Sequence, residues 1–148
     1  MDAEPAYTGF EGIDPFSRRF EEAGFGWATD KMGRFYGDSM IRLRARDMAN
    51  FGQLYLDGGR WHGQQLVPKA WVREATTRIE LARYGRLWWD VDAGIHPAFA
   101  AIGRGGQLVL VVPELRLVVA IQSRLDYEDE LQSGDLVSLV TAMLPHIE

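Results

Sequence analysis

The sequence predicts an α+β fold in which an antiparallel sheet of three to four strands has a C-terminal helix over one face. Apolar runs with strand character, separated by turn signals, occupy residues 84–91, 99–102, 107–112 and 116–122. Two helical segments precede these runs and one helical segment follows them. Helices grouped before and after a set of strands, without regular alternation, are typical of the α+β class.

Two helices are predicted in the first half of the chain. Residues 45–57 (ARDMANFGQLYLD) place apolar side chains near one helix face, and Gly58 and Gly59 end the segment. The apolar residues of that face are Met48, Phe51, Tyr55 and Leu56. Pro68, followed by KAWVREAT, predicts a second and shorter helix, because proline is favoured at the first turn. Residues 1–40 show no sustained period, and we expect loops with at most a short helix at residues 15–23.

The strands and the last helix form the second half. The runs at 107–112 and 116–122 carry Val and Leu on both faces, which suits a sheet that is covered on both sides. The final helix is predicted at residues 126–145. Its apolar stripe consists of Leu131, Leu136, Leu139, Val140 and Leu144.

Composition narrows the classes of function. The chain has 148 residues, 47% hydrophobic and 25% charged, which is the balance of a single globular domain. A net charge of -5 argues against a nucleic-acid partner, and no apolar run is long enough to cross a membrane. The acidic N-terminus lacks the apolar core of a secretory signal, so the chain as it stands is expected to be cytoplasmic. Without cysteines, and with His62, His96 and His146 scattered, the sequence predicts no metal site.

A cluster of three glycines stands between two predicted strands, in AIGRGGQ at residues 101–107. Glycine there serves either a bulge and turn of the hairpin or the close approach of a ligand to the backbone. The residues alone leave both alternatives open.

Four pieces of the chain, taken in order, carry a family resemblance. They lie at residues 45–72, 84–89, 101–107 and 111–120. In this order and at these separations they resemble the C-terminal part of the penicillin-recognising serine hydrolases. This family includes class C β-lactamases, D-alanyl-D-alanine carboxypeptidases, related esterases and oligomer-cleaving amidases. The resemblance covers roughly residues 27–145, and it implies that the two early helices belong to a helical subdomain.

The resemblance also implies a site. AIGRGGQ occupies the place of the family's third catalytic motif, Lys-Thr-Gly or His-x-Gly, so Ala101 stands where the cation would be. The backbone N–H of Arg104 would then form one half of the oxyanion hole, the pair of donors that binds the developing negative charge. The other expected substrate contacts are Ile102, Gly103, Gly105 and Trp88. Trp88 and Trp89 alternate on a predicted strand, so one can line a cleft while the other packs in the core, although we expect both to pack in the core. Alanine at position 101 fits the esterase or amidase branches better than a β-lactamase. No cofactor is implied.

The family's nucleophile motif, Ser-x-x-Lys, is missing from this sequence. The chain has five serines and none has lysine three residues later. Ser39 comes nearest, but it is followed at that spacing by Arg42, which cannot act as the base. Tyr36-Gly-Asp38 resembles the family's Tyr-x-Asn motif only superficially, because a carboxylate replaces the amide and the motif lies too close to the first helix.

The resemblance therefore predicts a single partial domain, residues 1–148. Residues 1–80 would be an irregular part and a remnant of the helical subdomain, and residues 81–148 the sheet with its C-terminal helix. Such a chain would carry the oxyanion-side strand of an ester or amide hydrolase but not the nucleophile, and would be inactive alone. A full-length parent could be periplasmic or secreted. An unpaired strand at 116–122 predicts a homo-oligomer or a strand-swapped form. The alternatives are a non-catalytic binding or interaction module on the same scaffold, and an unrelated small α+β protein.

Overall fold

The computed structural model describes residues 26–27, 30–37, 40–79, 83–103, 105–123 and 133–146. The chain divides into two compact units, Met1–Arg44 and Ala45–Glu148. In the first unit, β1 (Gly26–Trp27) pairs antiparallel with β2 (Ile41–Arg42). The Trp27 ring stacks on Phe35, and its Nε1–H donates to the carbonyl oxygen of Tyr36 over 2.7 Å. The short helix predicted at residues 15–23 lies outside the described residues.

The second unit is built on a four-stranded antiparallel sheet, which confirms the predicted fold class. Its strands are β5 (Trp89–Ala93), β6 (His96–Gly103), β7 (Gln107–Val112) and β8 (Leu117–Ile121), and they lie side by side in chain order. Each strand therefore pairs with the next through a short turn, which is the simplest arrangement of an antiparallel sheet. The small ladder between β3 (Arg60–Trp61) and β4 (Gln64–Gln65) forms a separate hairpin.

Two strands begin at least three residues away from the predicted position. The strand expected at residues 84–91 begins only at Trp89, and Tyr84 makes a single isolated bridge to that residue. Between them the chain turns: the N–H of Gly85 donates to the carbonyl of Trp88, and Leu87 adopts a φ of 67°. A left-handed leucine is unfavourable in a strand, so this segment cannot continue the ladder. β6 begins three residues earlier than expected, at His96.

The described helices are α1 (Ala45–Leu56), α2 (Lys69–Thr76) and α3 (Ser133–Met143), and α3 continues into a 3₁₀ turn at Leu144–His146. The first two confirm the predicted segments. The first part of the predicted C-terminal helix, with Leu131, lies outside the described residues. No helix in the described ranges has both the length and the apolar character that crossing a bilayer requires.

The sheet is covered by helices on both faces, as the apolar strands predicted. On one face α3 packs against Leu108, Leu110 and Val112 of β7. On the other face α1 lies over β7 and β8, and a second core forms there around Trp88, Phe99, Val109 and Val111. α1 comes close because its buried residue over the sheet is Gly52, whose missing Cβ would lie within 3 Å of two valine methyl groups.

The set of α3 residues that pack against the sheet was predicted only in part. Leu136 and Val140 are buried against the sheet, as expected. Leu139 was predicted in the apolar stripe, but its side chain is 55% exposed, and Val137 is buried instead. Because α3 is short and apolar almost all around, the sequence pattern does not determine which of its residues face the sheet.

Candidate functional site

The glycine cluster forms the turn between β6 and β7. Gly103 is the last residue of β6 and lies opposite Gln107, the first residue of β7. Gly105 and Gly106 both have positive φ angles, 82° and 83°, which only glycine adopts readily. Arg104, the residue predicted to donate its backbone N–H to an oxyanion, lies outside the described residues.

The geometry of the hairpin itself explains why each described glycine of this turn is required. A Cβ on Gly103 would lie 3.0 Å from Oε1 and 3.2 Å from Cβ of Gln107, so that side chain already fills the space beside it. Gly105 and Gly106 are required by their backbone angles. The turn and the close approach of a ligand are not exclusive. The glycines by themselves are therefore accounted for without a ligand.

Ser123 binds the carbonyl groups of this turn, and Gln107 binds the backbone of Ser123. Ser123 Oγ lies 2.9 Å from the carbonyl oxygen of Gly105 and 3.0 Å from that of Gly106. Gln107 Nε2 donates over 3.0 Å to the carbonyl oxygen of Ser123. The sequence did not indicate Ser123 as a site residue, because it follows β8 and reaches the turn only through the sheet pairing.

The remaining predicted site residues are divided between the two faces of the sheet. Ile102 is half-buried against the core under α3, while Ala101 packs against the core under α1. Trp88 is 3% exposed and is surrounded by aromatic rings. These rings belong to Phe51, Tyr55 and Phe99. Trp89 is the exposed member of the pair, at 43%. The structure thus places Gly103 and Gly105 at the turn and Trp88 in the core, and a substrate contact by Trp88 stays a prediction.

A second feature lies at the opposite end of the sheet. An open pocket of about 540 Å³ lies between the β5–β6 turn, the β7–β8 turn and the end of α3. His96 lines it, and His96 Nδ1 lies 2.8 Å from a carboxylate oxygen of Glu114. None of the predicted site residues lines this pocket. Among the described residues no group of three or more His, Asp or Glu side chains is placed to hold a metal ion.

One edge of the sheet is open in the described part of the chain. β8 pairs with β7 along one side, and no described strand pairs with its other side. Its sequence, LVVAI, contains neither charge nor proline, and all five residues are half-buried. Natural edge strands commonly carry a charge or a proline that blocks pairing with another chain, and this strand has neither.

Comparison with known proteins finds similarity to solved structures. No protein-family model matches the chain, and no curated protein matches it. Among solved structures, the fold is similar to that of a "Putative 6-aminohexanoate-dimer hydrolase from Bacillus anthracis". The TM-score is 0.64 at 25% sequence identity, and the match covers 82% of this chain and 32% of that chain. The present chain thus spans about a third of the length of that structure.

Proposed function

We propose that this chain is part of a β-lactamase-like serine hydrolase that cleaves an ester or amide bond. In this proposal the β6–β7 hairpin, with Ile102, Gly103, Arg104 and Gly105, supplies the substrate-binding edge and one oxyanion donor, the N–H of Arg104. The serine nucleophile and its lysine lie in a part of the protein that this sequence does not contain. The chain alone is therefore expected to be inactive.

The observation that carries the proposal is the similarity to the 6-aminohexanoate-dimer hydrolase structure over most of this chain. Four sequence pieces suggest a hydrolase of this kind. In this structure they fall on α1 to α2, on the segment that leads into β5, on the end of β6 with the glycine turn, and on β7 to β8. α1, α2 and the strands β5 to β8 follow one another in the order that the resemblance requires.

An amide or ester other than a β-lactam is the substrate class we favour. Position 101 is alanine, and its side chain is half-buried against the core under α1. A cation at this position would bind the carboxylate of a β-lactam, and alanine offers no such charge. The name of the similar structure points to an amide, the 6-aminohexanoate dimer, as the substrate to test first.

The test compares hydrolysis by the pure chain with hydrolysis by a longer protein, expressed from the same reading frame with the sequence upstream of Met1 included. We expect no turnover of 4-nitrophenyl acetate, nitrocefin or the 6-aminohexanoate dimer above the buffer blank by the 148-residue chain. We also expect an in-frame Ser-x-x-Lys upstream of Met1. The longer product should hydrolyse the dimer or the ester, and a Ser→Ala change in that motif should abolish the reaction. Clear turnover by the pure chain would contradict the missing nucleophile, whether or not a single serine change removed it.

The open edge of β8 favours a second candidate function, a non-catalytic module that associates through this strand. Two copies can pair their β8 strands antiparallel about a two-fold axis, because the same edge then serves both partners. Sedimentation analysis over a range of protein concentrations should show a dimer or larger species. An independent start codon together with a stable homo-oligomer would support this module, and a strictly monomeric protein would exclude it.

A further inference from the structure

The carbonyl groups of Gly105 and Gly106 in the glycine turn both contact the hydroxyl group of Ser123. Ser123 Oγ reaches both the Gly105 and the Gly106 carbonyl oxygens, at 2.9 Å and 3.0 Å, so its single hydroxyl hydrogen serves one or is shared by both. Gln107 Nε2 is 3.4 Å from the Gly105 carbonyl oxygen and mainly serves the Ser123 carbonyl. Ser123 is half-buried, and it follows the end of β8 by two residues.

This arrangement fixes the direction of one amide. In a trans peptide unit the C=O and the following N–H point to opposite sides, and the described residues contain no cis peptide bond. Because the Gly105 carbonyl points toward Ser123, the N–H of Gly106 points away from it. No acceptor from the described residues is bonded to that N–H. A neighbouring side chain cannot cover it from position 105 or 106, since both residues are glycine.

We propose that Ser123 is a positioning residue, whose hydroxyl holds the Gly105 and Gly106 carbonyls to one side and thereby presents the Gly106 N–H to the carbonyl oxygen of the substrate. The nature of the acceptor, an ester or amide carbonyl, rests on the proposed hydrolase function. The orientation of the amide does not. Gly106 would then act as a preorganised backbone donor at this turn.

The sequence around the turn fits this role. Positive φ at both Gly105 and Gly106 lets successive carbonyls reach one hydroxyl, which a residue with a Cβ would resist. The Gln107 side-chain amide donates a hydrogen bond to the backbone carbonyl of Ser123. The same side chain fills the space beside Gly103. The three hydrogen bonds that involve Ser123 join the turn and the start of β7 to the residue that follows β8, so that the turn and the sheet edge are held together.

The first measurement concerns the amide alone and needs no ligand. In the ¹⁵N-labelled chain, the Gly106 amide should exchange with solvent within about tenfold of the rate of an unprotected peptide. Ser123→Ala should shift the amide resonances of Gly105, Gly106 and Gln107, and Ser123→Thr, which keeps a hydroxyl, should restore them. Ser138→Ala, on the exposed side of α3, is the control and should leave these resonances unchanged. Strong protection of the Gly106 amide, or an unmoved turn in Ser123→Ala, would overturn the positioning role.

The second measurement adds phenylphosphonate, a tetrahedral anion that resembles the intermediate of ester hydrolysis. We expect the Gly106 amide proton to move downfield on titration, with binding at least about tenfold weaker in Ser123→Ala and recovered in Ser123→Thr. Equal binding by Ser123→Ala would refute the role of Ser123 in presenting this donor. If Ser123 sets the turn but phenylphosphonate shifts no amide there, the substrate-binding role of Gly106 fails while the orientation of the amide stands. The hydrolase function is decided separately, by the activity of the longer protein that carries the Ser-x-x-Lys motif.

Discussion

Replacing Trp88 with alanine should lower the free energy of unfolding by about 3–5 kcal/mol, the range for removing a large buried aromatic side chain. Trp88 is 3% exposed. Its ring centroid lies 4.6 Å from that of Tyr55, 5.0 Å from that of Phe99 and 5.8 Å from that of Phe51. The loss combines the transfer energy of the ring with the cavity between α1 and the sheet, which these neighbours cannot fill without moving. Chemical denaturation followed by circular dichroism measures the change.

The adjacent tryptophan provides a matched control for this prediction. Trp89 is 43% exposed and contacts Tyr84 at a centroid distance of 4.6 Å. Trp89→Ala should therefore cost only about 1 kcal/mol, the value of one exposed aromatic pair. If Trp88→Ala does not fold, Trp88→Phe should fold with an intermediate loss. A loss at Trp88 no greater than at Trp89 would show that the Trp88 side chain is not an essential part of the core and would favour its predicted role as a substrate contact.

β7 and β8 could be predicted from sequence because both strands are apolar on their two faces and a clear turn separates them. β7 was predicted with its observed bounds, since Gly106 precedes it and Pro113 follows it. The start of β5 could not be predicted. Trp88, Trp89 and the neighbouring apolar residues favour a strand by composition, whether or not the backbone is extended at that point. The positive φ of Leu87 interrupts the strand, and nothing in the local pattern indicates a left-handed leucine.

Residues of the candidate site were predictable where the signal is local. The glycine cluster indicated a turn of special geometry, and positive φ at Gly105 and Gly106 is the local reason for it. Trp88 and Trp89 illustrate the limit, because alternation separates two faces of a strand without saying which one is buried. Ser123 could not be predicted, since its partners lie 17 and 18 residues earlier in the chain and meet it only after β7 and β8 have paired.

The second large effect is expected at Gly59, just beyond the end of α1. The N–H of Gly59 donates to the carbonyl of Leu54 over 2.8 Å, and that of Gly58 donates to Tyr55 over 3.0 Å, which together form a Schellman cap. The Gly59 carbonyl in turn accepts from the N–H groups of Leu66 and Val67. These bonds hold two backbone segments so close that a Cβ on Gly59 would lie 2.0 Å from the Val67 carbonyl oxygen.

Gly59→Ala should therefore lower the free energy of unfolding by about 2–5 kcal/mol, the sum of a left-handed alanine and a steric overlap that the backbone cannot relieve. Gly63→Ala is the matched control, because Gly63 has nearly the same φ, 82° against 85°, but nothing within 4 Å of its Cβ position. It should cost about 1–2 kcal/mol, the cost of a left-handed alanine without any steric overlap. The difference between the two variants, measured by urea unfolding, isolates the overlap with Val67. Equal losses would mean that the cap of α1 and the segment at Val67 are not held together as the hydrogen bonds of Gly59 indicate.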